Sequence, residues 1–141
     1  MQTKTLITVE ALINAPVQKV WAFFNGPEHV TKWNQASPDW YCPKASSELK
    51  PGGKFSCTMA AKDGSFSFDF GGTYREVVPE QKLSIILEDD RKWDVHFSAK
   101  GNQTLVVETF EAEEENPVEM QRMGWQSILD SFKQYTETPK P

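Results

Sequence analysis

Few side chains in this sequence are suited to metal or nucleophilic chemistry. There are two histidines, His29 and His96, and two cysteines, Cys42 and Cys57, in 141 residues. A zinc site gathers three or four Cys, His or carboxylate ligands, usually at short paired spacings, and these four residues are scattered. No metal and no cofactor is therefore expected, and the chain contains no GxSxG nucleophile elbow, P-loop or dinucleotide fingerprint. Cys57 falls in phase with Phe55 and Met59, where a thiol acts as a small hydrophobe rather than a nucleophile. His96 alternates against Val95 and Phe97, which turns it toward water. For general acid–base work Asp69 and Tyr74 form the one plausible pair, with His96 third. Asp69 lies between Phe68 and Phe70 beside Gly71-Gly72. A bend there that reversed the strand's parity would carry its carboxylate inward and shift its pKa; without one, Asp69 faces solvent.

The elements that must position these groups can be read from periodicity. Between Thr5 and Ile13 the apolar Ile7, Val9, Ala11 and Ile13 recur every second residue, which indicates a strand with one buried face. Pro16 suits the first turn of a helix that brings Val20, Trp21 and Phe24 to one face and ends at Gly26. A second short helix, from Pro27 to about Asn34, aligns Val30 with Trp33. From residue 40 to 112, the turn signals Pro51-Gly52-Gly53, Asp63-Gly64, Pro79-Glu80, Asp89-Asp90 and Gly101-Asn102 separate about six strands of an antiparallel meander. Phe55/Cys57/Met59/Ala61, Phe66/Phe68/Phe70 and Trp93/Val95/Phe97 form its dry face. Gly71-Gly72, inside a long strand, predicts a bulge or sharp bend. Asn116 as N-cap, Pro117 at the first helical position and Glu119 in capping-box spacing predict the start of a long helix. Its stripe is Val118, Trp125, Ile128, Leu129, Phe132 and Tyr135. Glu113-Glu114-Glu115 complements the positive end of that helix. Gly124 is either a point of close approach by a strand or ligand or a tolerated glycine. Met120 and Met123, off the stripe, either form an adaptable lip or are simply exposed. Residues 1–137 read as one domain and 138–141 as a frayed tail.

Composition narrows the function classes. The length suits one domain, and five Trp, three Tyr and nine Phe supply enough rigid apolar area for a roomy interior. The formal net charge is −5 with scattered Lys and Arg, so nucleic acid is not an expected partner. No stretch approaches the roughly 18 apolar residues of a membrane span, and the N-terminal segment reads as a strand rather than a signal peptide. The expectation is a cytoplasmic protein with two free thiols, a monomer or weak dimer.

The resulting α+β order is strand, two short helices, about six antiparallel strands and a long C-terminal helix. It is similar to the helix-grip fold of the START/SRPBCC superfamily, in which a curved antiparallel sheet wraps the C-terminal helix. Local phrases resemble that superfamily's heat-shock-protein-90 ATPase activator-like branch. They are Ala15-Pro16 with Val20-Trp21; Pro27-Glu28-His29 running to Trp33; Gly52-Gly53-Lys54-Phe55; Phe68-Asp69-Phe70-Gly71-Gly72-Thr73-Tyr74 leading to Val78-Pro79-Glu80 and Leu83; and Gly124-Trp125 followed by Leu129. The resemblance implies a cavity between sheet and long helix that holds an apolar or amphipathic small molecule. On apolar parity and placement, its lining would be Trp33, Met59, Phe70, Tyr74, Trp93, Phe97, Trp125 and Leu129. Two other readings accompany ligand binding. One is a polyketide cyclase-like enzyme using Asp69, Tyr74 and His96. The other is a chaperone-interacting stress-response module, although the separate N-terminal domain of the eukaryotic activator has no counterpart in this sequence.

Overall fold

A computed structural model describes residues 5–35 and 37–138. Period-two apolar runs become strands, and the chain folds as β1 (Leu6–Ile13), α1 (Val17–Asn25), α2 (Pro27–Trp33), β2 (Trp40–Ser47), β3 (Lys54–Ala61), β4 (Ser67–Val78), β5 (Lys82–Leu87), β6 (Lys92–Lys100), β7 (Gln103–Glu111) and α3 (Val118–Glu137). All seven strands form one antiparallel sheet in the order β1-β7-β6-β5-β4-β3-β2. The sheet curls into a half-barrel with the helices on its concave side, the α+β helix-grip arrangement. Residues 139–141 of the expected tail lie outside the described residues. Thr138 ends α3, its backbone N–H donating to the Gln134 carbonyl.

Register puts one row of side chains inside. Ile7, Val9 and Ile13 of β1 sit opposite Phe110, Glu108 and Thr104 of β7, and Trp93, Val95 and Phe97 of β6 face Phe110, Glu108 and Val106. The row continues through Leu83 and Ile85 to Tyr74 and on to Phe55, Cys57 and Met59. Phe24 anchors the helices in it, edge-on to Phe97 at 5.4 Å and to Phe132 of α3 at 5.4 Å, while stacked on Trp33 at 5.4 Å. Phe110 and Phe132 are fully buried.

β1 is an edge strand, and α3 covers its open edge. Gln126 Nε2 donates to the Glu10 carbonyl (3.1 Å), Lys133 Nζ donates to the Leu12 carbonyl (2.8 Å), and the Asn14 N–H donates to Glu137 Oε2 (2.7 Å). Three backbone groups at the C-terminal half of this edge, which would otherwise be open to a second chain, are thus satisfied within the molecule.

Local expectations need correction in three places. Gly71-Gly72 carries no bulge: β3 and β4 stay in register across it, and the irregularity falls between Tyr74 and Glu76 in the pairing with β5. The glycines serve close strand approach, since a Cβ at Gly71 would lie 2.5 Å from the Phe55 carbonyl oxygen and one at Gly72 2.5 Å from that of Ile86. Phe66 and Phe68 are 58% and 45% exposed, because the end of the β3–β4 hairpin projects beyond the helices. Their rings gather edge-on to Trp40, at 6.2 and 6.1 Å. The Asn116 capping box does not form: α3 begins at Val118 behind Pro117, with no side-chain cap. Buried Gln121 ties down the preceding turn, accepting from the Glu113 N–H (2.9 Å) and donating to the carbonyls of Glu113 (3.1 Å) and Asn116 (2.7 Å). Glu119 pairs with Arg122 instead of capping. Of the two readings of Gly124, the tolerated glycine is the observed one. A Cβ there would meet open space, with neither strand nor side chain within 4 Å.

The glycines therefore predict opposite responses to alanine. Gly72→Ala should destabilise by about 1–3 kcal/mol through overpacking against Ile86, and Gly124→Ala should stabilise by roughly 0.5–1 kcal/mol through helix propensity. Urea unfolding of both variants checks this; shifts of the same sign would contradict it.

Candidate ligand-binding site

The concave face is not filled. Between β3–β7, the α1–α2 corner and the N-terminal half of α3 lies a pocket of about 330 Å³. Aromatic and aliphatic side chains dominate its wall: Phe24, Val30 and Trp33 from the short helices, Phe55 and Met59 from β3, Phe70 and Tyr74 from β4, Leu83 and Ile85 from β5, Trp93 from β6, and Trp125 and Ile128 from α3. Of the residues expected to line a cavity, Trp33, Met59, Phe70, Tyr74, Trp93 and Trp125 border this pocket. Phe97 and Leu129 do not. They are 5% and 1% exposed in the packed core, Phe97 being held by the edge of Trp21 at 5.2 Å.

Trp125 forms a wall of the pocket. Its indole stacks on Phe110 at 3.8 Å and meets Trp93 at 5.2 Å and Phe70 at 6.0 Å, both at steep angles. Offset and edge-to-face contacts of this kind add to the area the rings bury. Trp33 is fixed differently, its indole N–H donating to the Phe23 carbonyl at 2.9 Å.

Of the acidic and basic side chains that line the pocket, Arg91, Glu108 and Glu113, Glu108 is the buried one, and sequence reasoning missed it. Glu108 of β7 is 5% exposed, and its Oε1 accepts the indole N–H of Trp93 at 2.9 Å. Burial pushes its carboxyl up to about 7, against the smaller downward pull of the Trp93 hydrogen bond. The signal was present in the alternation Thr104, Val106, Glu108, Phe110, which is the buried parity of β7.

The proposed acid–base pair comes apart. Asp69 stays on the outer face, where its Oδ1 accepts from the Thr58 hydroxyl at 2.9 Å, because β4 does not reverse parity at Gly71-Gly72. Tyr74 faces inward at 4% exposure, and burial raises its phenol to about 12. His96 is exposed on β6. The other histidine, His29, stacks on Phe23 at 3.9 Å, and its Nδ1 shares a hydrogen bond with the Tyr135 hydroxyl at 2.8 Å.

Cys57, on the pocket wall, has a neighbour that its spacing did not reveal. β2 bulges between Tyr41 and Lys44, at Pro43, which cannot donate to the ladder. Cys42, in this bulge, is buried and hydrogen-bonded with Cys57, and both are free thiols. The shared hydrogen bond, burial and the charge of an ionised Cys42 raise Cys57. Met120 and Met123 are 61% and 67% exposed. Among the described residues, no three His, Cys, Asp or Glu side chains come together to hold a metal ion, and no helix is long and apolar enough to cross a membrane.

Glu108 generates a stability prediction. Its carboxyl is raised from an ordinary 4.5 to about 7 in the fold, so the native state binds the extra proton between those values. The associated stability is fully present below about pH 4.5 and is lost as pH rises through about 7, a change of roughly 3 kcal/mol. Glu108→Gln, which keeps an acceptor for Trp93, should flatten this part of the pH profile and be the more stable protein near pH 8. Urea unfolding across the range checks it, and an unchanged slope would contradict it.

Comparison with known proteins matches this geometry to a family. Residues 14–137 match the model of the activator of Hsp90 ATPase homolog 1-like protein family. The solution structure of an AHSA1-like protein from Aeromonas hydrophila is 42% identical, with 94% of this chain and 92% of that chain covered and a TM-score of 0.89. The solution structure of Chr148 from Cytophaga hutchinsonii is 51% identical, with 93% and 91% covered and a TM-score of 0.80. Protein CV1439 from Chromobacterium violaceum shares the fold at 21% identity, with 96% and 99% covered and a TM-score of 0.84. No match was found among curated proteins. With the family model spanning nearly the whole chain and two solved relatives above 40% identity, the chain belongs to the activator of Hsp90 ATPase homolog 1-like family.

Proposed function

We propose that this protein binds an apolar or amphipathic small molecule in the pocket between its sheet and α3. The observation that carries the reading is the pocket itself: about 330 Å³ of space walled by aromatic rings, with one convergent buried carboxyl. A concave apolar space with a few placed polar groups is the usual form of a small-molecule site. Chaperone stimulation does not follow from family membership, because function resides in sites rather than folds. Polyketide cyclase-like catalysis loses the Asp69–Tyr74 pair on which it rested, since the two side chains lie on opposite faces of β4. The reading places the protein in the cytoplasm, where the buried thiols of Cys42 and Cys57 stay reduced.

The test is an NMR titration of the full chain with a panel of lipids, flavonoids, aromatic acids and aromatic amines. Shift changes concentrated at Phe70, Trp93 and Trp125 are expected; a silent panel would overturn the proposal. Trp125→Phe keeps a ring against Phe110 and gives up the indole's second ring, so it should cost less stability than truncation of a core ring to alanine, yet weaken binding of whichever panel member shifts these signals. Phe132→Ala should cost about 3–5 kcal/mol as a core truncation. Were Trp125→Phe the more destabilising change, Trp125 would be a core residue rather than a pocket wall.

A further inference from the structure

The pocket holds an acid without a base. Among the described residues that line it, the one cation is Arg91, and its guanidinium is committed elsewhere. Nε donates to Asp89 Oδ2 at 2.7 Å, and Nη1 donates to the Glu111 carbonyl at 3.1 Å. Among these residues Glu108 receives a single hydrogen bond, from the Trp93 indole N–H. Val9 and Val95, its cross-strand neighbours on β1 and β6, carry no charge. Glu113, at the edge of the lining, adds a second carboxylate, occupied by the Asn116 backbone and side-chain N–H groups at 2.8 Å each. A buried carboxyl in such a setting lacks the partner that normally offsets the cost of its charge. Around it stand the rings of Trp93, Trp125 and Phe70, which attract cations through their quadrupoles.

From this juxtaposition, and resting on the ligand-binding reading above, we infer that the pocket selects ligands with a cationic nitrogen at the end of an apolar body, the nitrogen pairing with Glu108 among the rings of Trp93, Trp125 and Phe70. The apolar body occupies the space toward Ile85 and Met59. An anionic ligand meets two carboxylates, and the cation of the lining, Arg91, is already paired with Asp89. A neutral hydroxyl can accept from the protonated carboxyl or donate to the carboxylate, but it brings no charge to offset that of the ionised form, so it gains nothing as pH rises. A cationic ligand does gain: it stabilises the carboxylate, displaces the proton and binds better as pH rises.

Three probes with one aromatic body separate these cases: naphthylethylamine, naphthylethanol and naphthylacetate, titrated calorimetrically into the full chain at about pH 5.5 and about pH 8.5, either side of the raised carboxyl. The amine is expected to bind about tenfold more tightly than the alcohol at the higher pH, with most of that preference gone at the lower pH and the acetate weakest throughout. Binding of the amine near neutral pH should release protons, seen as a dependence of the measured heat on buffer ionisation. Glu108→Gln should abolish the preference for the amine. It also separates Glu108 from the Cys42–Cys57 pair, which keeps its own titration in that variant; Tyr74 stays protonated across the whole range. If Glu108→Gln does not fold, the pH dependence of a Cys42→Ser chain, from which the neighbouring thiol titration has been removed, decides instead. Alcohol binding equal to or tighter than amine binding at the higher pH, or an amine preference that survives Glu108→Gln, would overturn the inference while leaving the pocket reading intact. Failure of all three probes would overturn both.

Discussion

A single helix cannot cover a seven-stranded sheet. Strands spaced about 4.8 Å apart give a sheet roughly 29 Å across, whereas a helix with its side chains is about 10–12 Å wide. One face of this sheet is mostly apolar, so it must be hidden, and three devices share the task. The sheet curls, α3 occupies the β1–β7 side, and α1 with α2 closes a corner through Phe24 and Trp33. What the three do not reach is the pocket. Its existence follows from the mismatch between one long helix and a wide dry face, and its aromatic wall follows from the need to span the remaining distance with large rings.

The same mismatch explains where polar groups are placed. Edge strand β1 is secured by α3 side chains along its backbone, and the turn before α3 is held by Gln121. Both arrangements fix the helix against the sheet at its ends, leaving Trp125 to lean across the middle onto Phe110. Glu108 then lies where a buried carboxyl borders open space, which makes it available to a ligand instead of merely costly to the fold.

Much of this architecture was legible in the chain because it is local. Period-two runs marked the strands, the Val118–Tyr135 stripe marked the long helix, and turn residues marked the hairpins. The inward parity of Tyr74, Trp93 and Met59 followed from alternation alone. The missed features depend on contacts distant in sequence. Glu108 reads as an outward polar residue until its parity with Val106 and Phe110 is weighed above its charge. The Cys42–Cys57 contact is made at the irregularity of β2 between Tyr41 and Lys44, which the spacing of the two cysteines does not reveal. Asn116 has the composition of a cap, but buried Gln121 ties down that turn, a role no local pattern announces. Gly71-Gly72 signalled a special backbone correctly in place but not in kind: close packing against Phe55 and Ile86, not a bulge. Phe97 and Leu129 share the parity of pocket residues, and only the positions of α1 and α3 decide that they are core.

The proposed ligand binding requires that the space beneath α3 be occupied in the native protein. Native mass spectrometry of the protein purified from its own host tests this most directly. The expected result is a noncovalent small-molecule adduct that is released by organic solvent and is absent from an Ile85→Trp variant, whose larger side chain would fill the pocket. An adduct-free mass for the native protein, or an adduct that persists undiminished in the folded Ile85→Trp variant, would contradict it.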